Sequence, residues 1–301
     1  MARRILNLAV IAVVILLLVT ITAPGDSAYA SPDAIPPRYD LRAFPVVPVM
    51  RGAVGGRART LALRGKRIGN RMDVFSKVGD SITRWTYFLT PIGMGQAQLG
   101  TYGDLQPVIA LFTREAARTS NSFANESIAS RDAWTSSDLL DAKWLDPAIC
   151  TPKETPVDCE LRVTKPAVAL IMIGTNDLPL NNPKQFRANL DRIVTIVERH
   201  YVIPVVSTIP YRRDQLELQD RVGDFNQVIV QVAMNHSAPI WNYWLAMESL
   251  PANGVSVDGI HPSLPPDYQF AIFDPSHLQF GFPMRNLTAL QVLKSLMTVL
   301  Q

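Results

Sequence analysis

The sequence predicts one α/β domain, a parallel sheet covered on both faces by helices, preceded by a segment concerned with export. Three observations carry this. Short apolar runs alternate along the chain with longer stretches of helical period; one run is continuously apolar; and polar residues with chemistry gather where the runs end. At 301 residues, 48% hydrophobic and 18% charged, the chain is too apolar for disorder and long enough to bury a large core. No internal repeat and no second domain are evident.

In chain order, Arg3 and Arg4 open the sequence, an uncharged and mainly apolar run fills 5–23, and small residues flank Ala28-Tyr29-Ala30. A basic start, an apolar middle and a small-residue exit read as a signal peptide over 1–30, cleaved after Ala30. A retained membrane anchor is the alternative, since the run is near the lower limit for spanning a bilayer. Both readings place the remainder outside the cytoplasm, secreted or extracytoplasmic. Residues 31–48 are Pro-rich and without period, and 51–71 hold six Arg and one Lys with no acid. Together 31–71 read as a linker. Its basic half is a solvated lead-in or, alternatively, a footing on anionic cell-surface polymer or lipid headgroups.

The domain is expected over 72–301. Residues 72–78 alternate and predict a strand; 168–173 form the continuous apolar run of a strand buried on both faces. Further strands are predicted at 201–207 and 240–244. Between them Phe186, Leu190, Ile193, Val194 and Val197 recur at helical spacing, as do Phe225, Val228, Ile229 and Val232. A last helix is predicted over 286–300.

With 29 basic and 26 acidic side chains the net charge is only +3, so a nucleic-acid partner is not indicated. Two cysteines exclude a four-thiolate metal site. Cys150 and Cys159 flank a polar, Pro-rich stretch with no His nearby in sequence, and outside the cytoplasm they are expected to pair.

In a parallel sheet, functional groups collect at the carboxyl ends of the strands. The first strand runs into Gly79-Asp80-Ser81, the continuous apolar one into Gly174-Thr175-Asn176-Asp177, and the chain after 240–244 reaches Asp258-Gly259-Ile260-His261-Pro262. A serine hydroxyl needs an adjacent base to attack, and His261 is one. Asp258, three residues earlier, is placed to hold the imidazole in one tautomer. Asn176 offers an amide donor where an oxyanion would form. Each piece alone has an ordinary reading: an N-cap serine, a turn, a surface ion pair. All three at strand ends, in this order, favour a site.

On these residues the chain resembles the SGNH (GDSL-type) hydrolase family of esterases and lipases, from about residue 72 to the C-terminus. The resemblance implies a three-layer α/β/α sandwich with a flavodoxin-like parallel sheet of about five strands. It also implies Ser81 as nucleophile, His261 as base, Asp258 as orienting acid, and an oxyanion hole using the Ser81 N–H and Asn176. The reaction would pass through an acyl-enzyme, on a small-molecule or polymer-borne ester, with neither metal nor cofactor. The family's second block supplies a Gly N–H to that hole; the matching stretch here, 133–140, has Ala133 instead, so that donor survives if the backbone there does not need positive φ.

Four alternatives stand. An acyltransferase on the same fold would use an alcohol in place of water. A decayed, non-catalytic surface-binding module would account for Ala133 and the basic arm. An α/β-hydrolase would want Gly-x-Ser-x-Gly, where this chain has Thr83 at the last position. A second Asp-x-x-His, Asp274 to His277, is read as a loop pair, with His277 as the alternative base. Residues 262–282 are expected to be a long loop, a rim or lid, and Trp85, Tyr87 and Phe88 to be mainly packing residues.

Overall fold

Four parallel strands form the sheet: β1 (Arg71–Gly79), β2 (Pro166–Met172), β3 (Ile203–Ser207) and β4 (Ile240–Trp241), hydrogen-bonded in the order β1-β2-β3-β4. The computed structural model describes residues 38–300; the predicted signal peptide and most of the Pro-rich segment lie outside the described residues. Every residue of β2 and β3 is buried, the reason their sequences are apolar without alternation.

The sheet has one strand fewer than the five expected. At the free edge of β1 the chain pairs through a single parallel bridge, Gly79 to Ser130, made by Gly79 N–H to Ala129 O at 2.9 Å and Arg131 N–H to Gly79 O at 3.3 Å. Arg131 and Asp132 are already exposed, so this segment leaves the sheet after one contact.

The helices are α1 (Gly52–Arg67), α2 (Ser81–Arg84), α3 (Thr90–Gly93), α4 (Gln106–Phe112), α5 (Pro156–Thr164), α6 (Asp177–Leu180), α7 (Pro183–Arg199), α8 (Leu216–Asn235), α9 (Tyr243–Glu248) and α10 (Gly281–Leu300). Helices α1, α4 and α10 pack together on one face of the sheet, and α5, α7 and α8 on the other, giving three layers. Among the described residues no helix is long and apolar enough to cross a membrane.

Three expectations need correction. The basic stretch 51–71 is no extended linker: most of it is α1, which buries Gly55, Ala58, Leu61, Ala62 and Gly65. These recur every three or four residues, but all except Leu61 are Gly or Ala, which carry little hydropathy among the arginines, and the stripe does not register as a helical face. The last helix starts at Gly281 rather than at 286, with Pro283 in its first turn, where its missing N–H costs no intrahelical bond. The segment at 240–244 yields only two strand residues before Asn242 caps α9 through the Leu245 amide.

Cys150 and Cys159 are joined as expected, Cα to Cα 5.5 Å apart. The bridge fastens the preceding loop to α5, whose start is fixed by a reciprocal capping box between Thr155 and Asp158.

Candidate active site

The chain turns at the carboxyl end of β1 because Gly79 sits where nothing larger fits: a Cβ there would lie 2.1 Å from the Met172 carbonyl oxygen. Asp80 then caps α2, its Oδ1 accepting the Ile82 N–H at 3.0 Å, and Ser81 becomes the first helical residue. Asp80 and Ser81 are both buried. Burial pushes the Asp80 carboxyl up to about 7, against the opposing field of the buried Arg285 guanidinium. Arg285, on α10, donates to the Ile82 carbonyl and to Thr83 Oγ1, and lies over the Phe88 ring at 3.8 Å, so it clamps the turn from behind.

Ser81 Oγ lies 2.8 Å from His261 Nε2, and His261 Nδ1 lies 2.7 Å from Asp258 Oδ2. The loop that brings His261 there is held by local bonds. Asp258 Oδ1 accepts from Ser256 Oγ at 2.7 Å, the Ile260 amide at 2.9 Å and the His261 amide at 3.0 Å. Gly259 adopts φ +74°, and a Cβ there would meet the Asp214 nitrogen at 2.4 Å, so the turn requires glycine twice over. Burial raises the Asp258 carboxyl, but these three donors and the imidazole outweigh it and bring the group down to about 2. Asp258 is therefore a carboxylate at neutral pH and accepts the Nδ1–H. Nε2 is left with its lone pair facing the Ser81 hydroxyl.

The Trp85 ring stacks on His261 at 4.0 Å and 16°. The sequence places Trp85 among packing residues; nothing in its spacing marks it as the wall of the base. Stacking fixes the imidazole plane.

Asn176, at the carboxyl end of β2, donates an Nδ2–H to the Trp134 carbonyl at 3.0 Å. That bond uses one hydrogen of the amide and joins the Asn block to the turn at 133–134. The same turn is gripped from below. Buried Asp177 accepts from the Ser136 amide at 2.9 Å and from the Ser136 hydroxyl, and Asn189 on α7 donates to Ser136 Oγ at 2.9 Å. Arg212, also buried, donates to the Thr175 carbonyl at 2.6 Å while paired with Asp214 at 2.7 Å. Asp177 and Arg212 thus position the Asn block. Asp177 is legible as part of a Gly-Thr-Asn-Asp run, whereas Arg212 carries no local signal.

Ala133 sits at φ +62°, the left-handed region that favours glycine. The condition attached to the Gly-to-Ala change is therefore not met: the turn keeps its shape and Ala133 bears the strain. Neither the Ala133 nor the Ser81 N–H makes a hydrogen bond among the described residues.

His277 is elsewhere engaged. Its Nδ1 meets Asp274 at 2.9 Å and its Nε2 meets Asp267 at 3.0 Å, so both ring nitrogens are spoken for. His200 is bonded to Asp158, and His236 to Glu198 and Asp191.

The GDSL-like Lipase/Acylhydrolase family model matches residues 78–264, from the end of β1 to just past His261. This chain belongs to that family. Its fold is the family's α/β/α arrangement, and membership makes it a hydrolase. Solved structures similar to it include a lipase/acylhydrolase from Enterococcus faecalis, with 20% identity over 71% of this chain and 95% of that one and a TM-score of 0.45. A GDSL-like lipase from Bacteroides thetaiotaomicron has 12% identity over 81% and 98%, with a TM-score of 0.44. A catalytic mutant of an acetylxylan esterase from Geobacillus stearothermophilus has 15% over 73% and 93%, with a TM-score of 0.46. No curated protein matches the sequence.

Proposed function

We propose that this GDSL-family chain is an exported serine ester hydrolase working through an acyl-enzyme. One observation carries the reading: the unbroken series from Ser81 Oγ to His261 Nε2 at 2.8 Å and from His261 Nδ1 to Asp258 at 2.7 Å. His261 takes the hydroxyl proton as Oγ bonds to the ester carbonyl carbon, and the carbonyl electron pair moves onto oxygen. The N–H groups of Ser81 and Ala133 and the second Nδ2–H of Asn176 are the donors for that oxyanion. Removing one such donor costs about 3–4 kcal/mol of transition-state stabilisation. Collapse breaks the bond to the alcohol oxygen, which takes the proton from His261. Water then repeats the sequence, releasing the acid and restoring Ser81. Asp258 stays ionised throughout, offsetting the imidazolium.

The test is hydrolysis of p-nitrophenyl acetate. Ser81→Ala is expected to lower kcat/KM by about 10⁴-fold or more. A fluorophosphonate probe is expected to label the wild-type chain at Ser81, and no labelling would favour the decayed-module reading instead.

Export rests on the basic, apolar and small-residue order of residues 1–30, and the Cys150–Cys159 bridge suits an oxidising compartment. We further propose that α1 contacts anionic cell-surface polymer or lipid. Arg59, Arg64, Lys66 and Arg67 are exposed on it and Arg51 at its N-terminal cap, beside exposed Leu63 and Ile68. Binding to anionic vesicles is expected to weaken steeply between 50 and 500 mM salt, and salt-insensitive binding would refute the electrostatic contact.

A further inference from the structure

A second polar recess lies beside the triad. It encloses about 830 Å³ between the 83–94 stretch and the 118–130 loop, within the range of roughly 300–1,000 Å³ typical of ligand pockets. It shares Trp85 with the site: the ring that stacks on His261 also lines the recess. Ser130, on the opposite wall, bridges to Gly79 two residues before Ser81.

Its lining is unusual in two respects. The first is charge. Lys77, Arg84 and Arg118 face one acid, the exposed Glu126. Arg84 is paired with Asp132 at 3.4 Å, whereas among the described residues Lys77 and Arg118 have no carboxylate within ion-pair distance. Lys77 is only 5% exposed, and its ammonium donates to a backbone carbonyl, Phe123 O, at 2.8 Å. Arg118 likewise donates to the Glu126 carbonyl at 2.6 Å, and its buried Nε–H has no partner among the described residues. Glu160, a buried acid whose charge acts on both Lys77 and Arg118, directs its oxygens to Ser76 Oγ at 2.7 Å and the Ile128 amide at 2.9 Å. The Glu160 charge offsets only part of the cost of burying the Lys77 ammonium, and burial pulls Lys77 down to about 8. The second respect is hydroxyls: the side chains of Thr86, Thr90, Ser120 and Ser130 line the recess and make no hydrogen bond among the described residues.

We infer that this recess binds an anionic, hydroxyl-rich group, with Lys77 and Arg118 taking the negative charge and the threonine and serine hydroxyls the hydroxyls of an acidic saccharide. Its position beside Trp85 makes it a specificity site for the non-reacting part of the ester. The inference deepens the esterase reading and rests on it for that last step, but the binding itself does not depend on catalysis. Two measurements separate them. Calorimetry on the wild-type chain compares a hyaluronan tetrasaccharide, which carries carboxylates, with neutral N-acetylchitotetraose. The acidic sugar is expected to bind at least tenfold more tightly, and Arg118→Gln and Lys77→Met each to remove about tenfold of that preference, with folding checked by circular dichroism. Equal affinities, or no binding of the acidic sugar at millimolar concentration, overturn the inference whatever the enzyme hydrolyses. The kinetic arm compares acetylated glucuronate with acetylated glucose. The ratio of their kcat/KM values is expected to favour the acid about tenfold and to fall towards one in Arg118→Gln; a ratio unmoved by that substitution overturns the specificity role. Failure of the esterase reading shows itself differently, as absent p-nitrophenyl acetate hydrolysis with acidic-sugar binding intact.

Discussion

Two Asp-x-x-His turns lie sixteen residues apart and are almost copies of each other. In the first, Asp258 accepts from Ser256 Oγ, the His261 amide and His261 Nδ1. In the second, Asp274 accepts from Ser276 Oγ, the His277 amide and His277 Nδ1. The two histidine side chains are similarly buried, 16% and 14% exposed. What differs is the group that meets Nε2: the Ser81 hydroxyl in one case, the Asp267 carboxylate in the other. A carboxylate at each nitrogen favours a proton on each, so the charged ring is the favoured form and the His277 pKa is raised although burial opposes this. An imidazolium has no lone pair with which to take a proton. The turn itself therefore orients a histidine without making it a base; a long-range partner decides that.

The comparison breaks most visibly on deletion of each ring. His261→Ala is expected to lower p-nitrophenyl acetate turnover by about 10⁴-fold or more, and His277→Ala by less than threefold. The reverse result would move the proposed base to the rim. Their pH behaviour sharpens the contrast. Because the folded-state pKa of His277 lies above its ordinary value of 6.5, the stabilisation it gives is complete below that value and is lost as pH rises through the folded one. The melting temperature of wild type should exceed that of His277→Gln by a wider margin at pH 5 than at pH 9, measured by calorimetry. A gap that widens towards alkaline pH would mean that the ring is buried neutral.

The same distinction between local and long-range causes explains what the sequence could disclose. The Asp258–His261 turn, the cap at Asp80 and the apolar run of β2 are local patterns, each legible within a few residues. So was the strand–helix alternation, since buried parallel strands write themselves as apolar runs. Helix α1 was hidden because its buried stripe is, apart from Leu61, built of Gly and Ala, whose contribution is close approach: a Cβ at Gly65 would lie 2.5 Å from the Tyr201 carbonyl oxygen. The fifth strand failed because pairing depends on the partner edge and not on the apolar content of the segment around Ser130. Trp85 over His261, Arg212 beneath Thr175 and Arg285 behind Asp80 are meetings of residues tens to hundreds of positions apart, and no spacing rule reports them.

Ala133 supplies the smallest of the expected effects and tests the comparison from the backbone side. The neighbouring blocks hold the turn in place through Asn176 on the Trp134 carbonyl and Asp177 on Ser136. Side-chain identity at 133 should then matter little to where its N–H points. An alanine at φ +62° costs about 1–2 kcal/mol relative to an unstrained residue, while a glycine would surrender roughly 0.5–1 kcal/mol in added unfolded-state entropy. Ala133→Gly is therefore expected to stabilise the fold by about 0.5–1 kcal/mol, seen as a rise of roughly 1–4 °C in Tm, with kcat/KM changed by less than twofold. If glycine instead raised turnover tenfold or more, the strain would be reaching the oxyanion donor. The site would then depend on residue 133 as it depends on 261, through a long-range partner that alanine holds out of place.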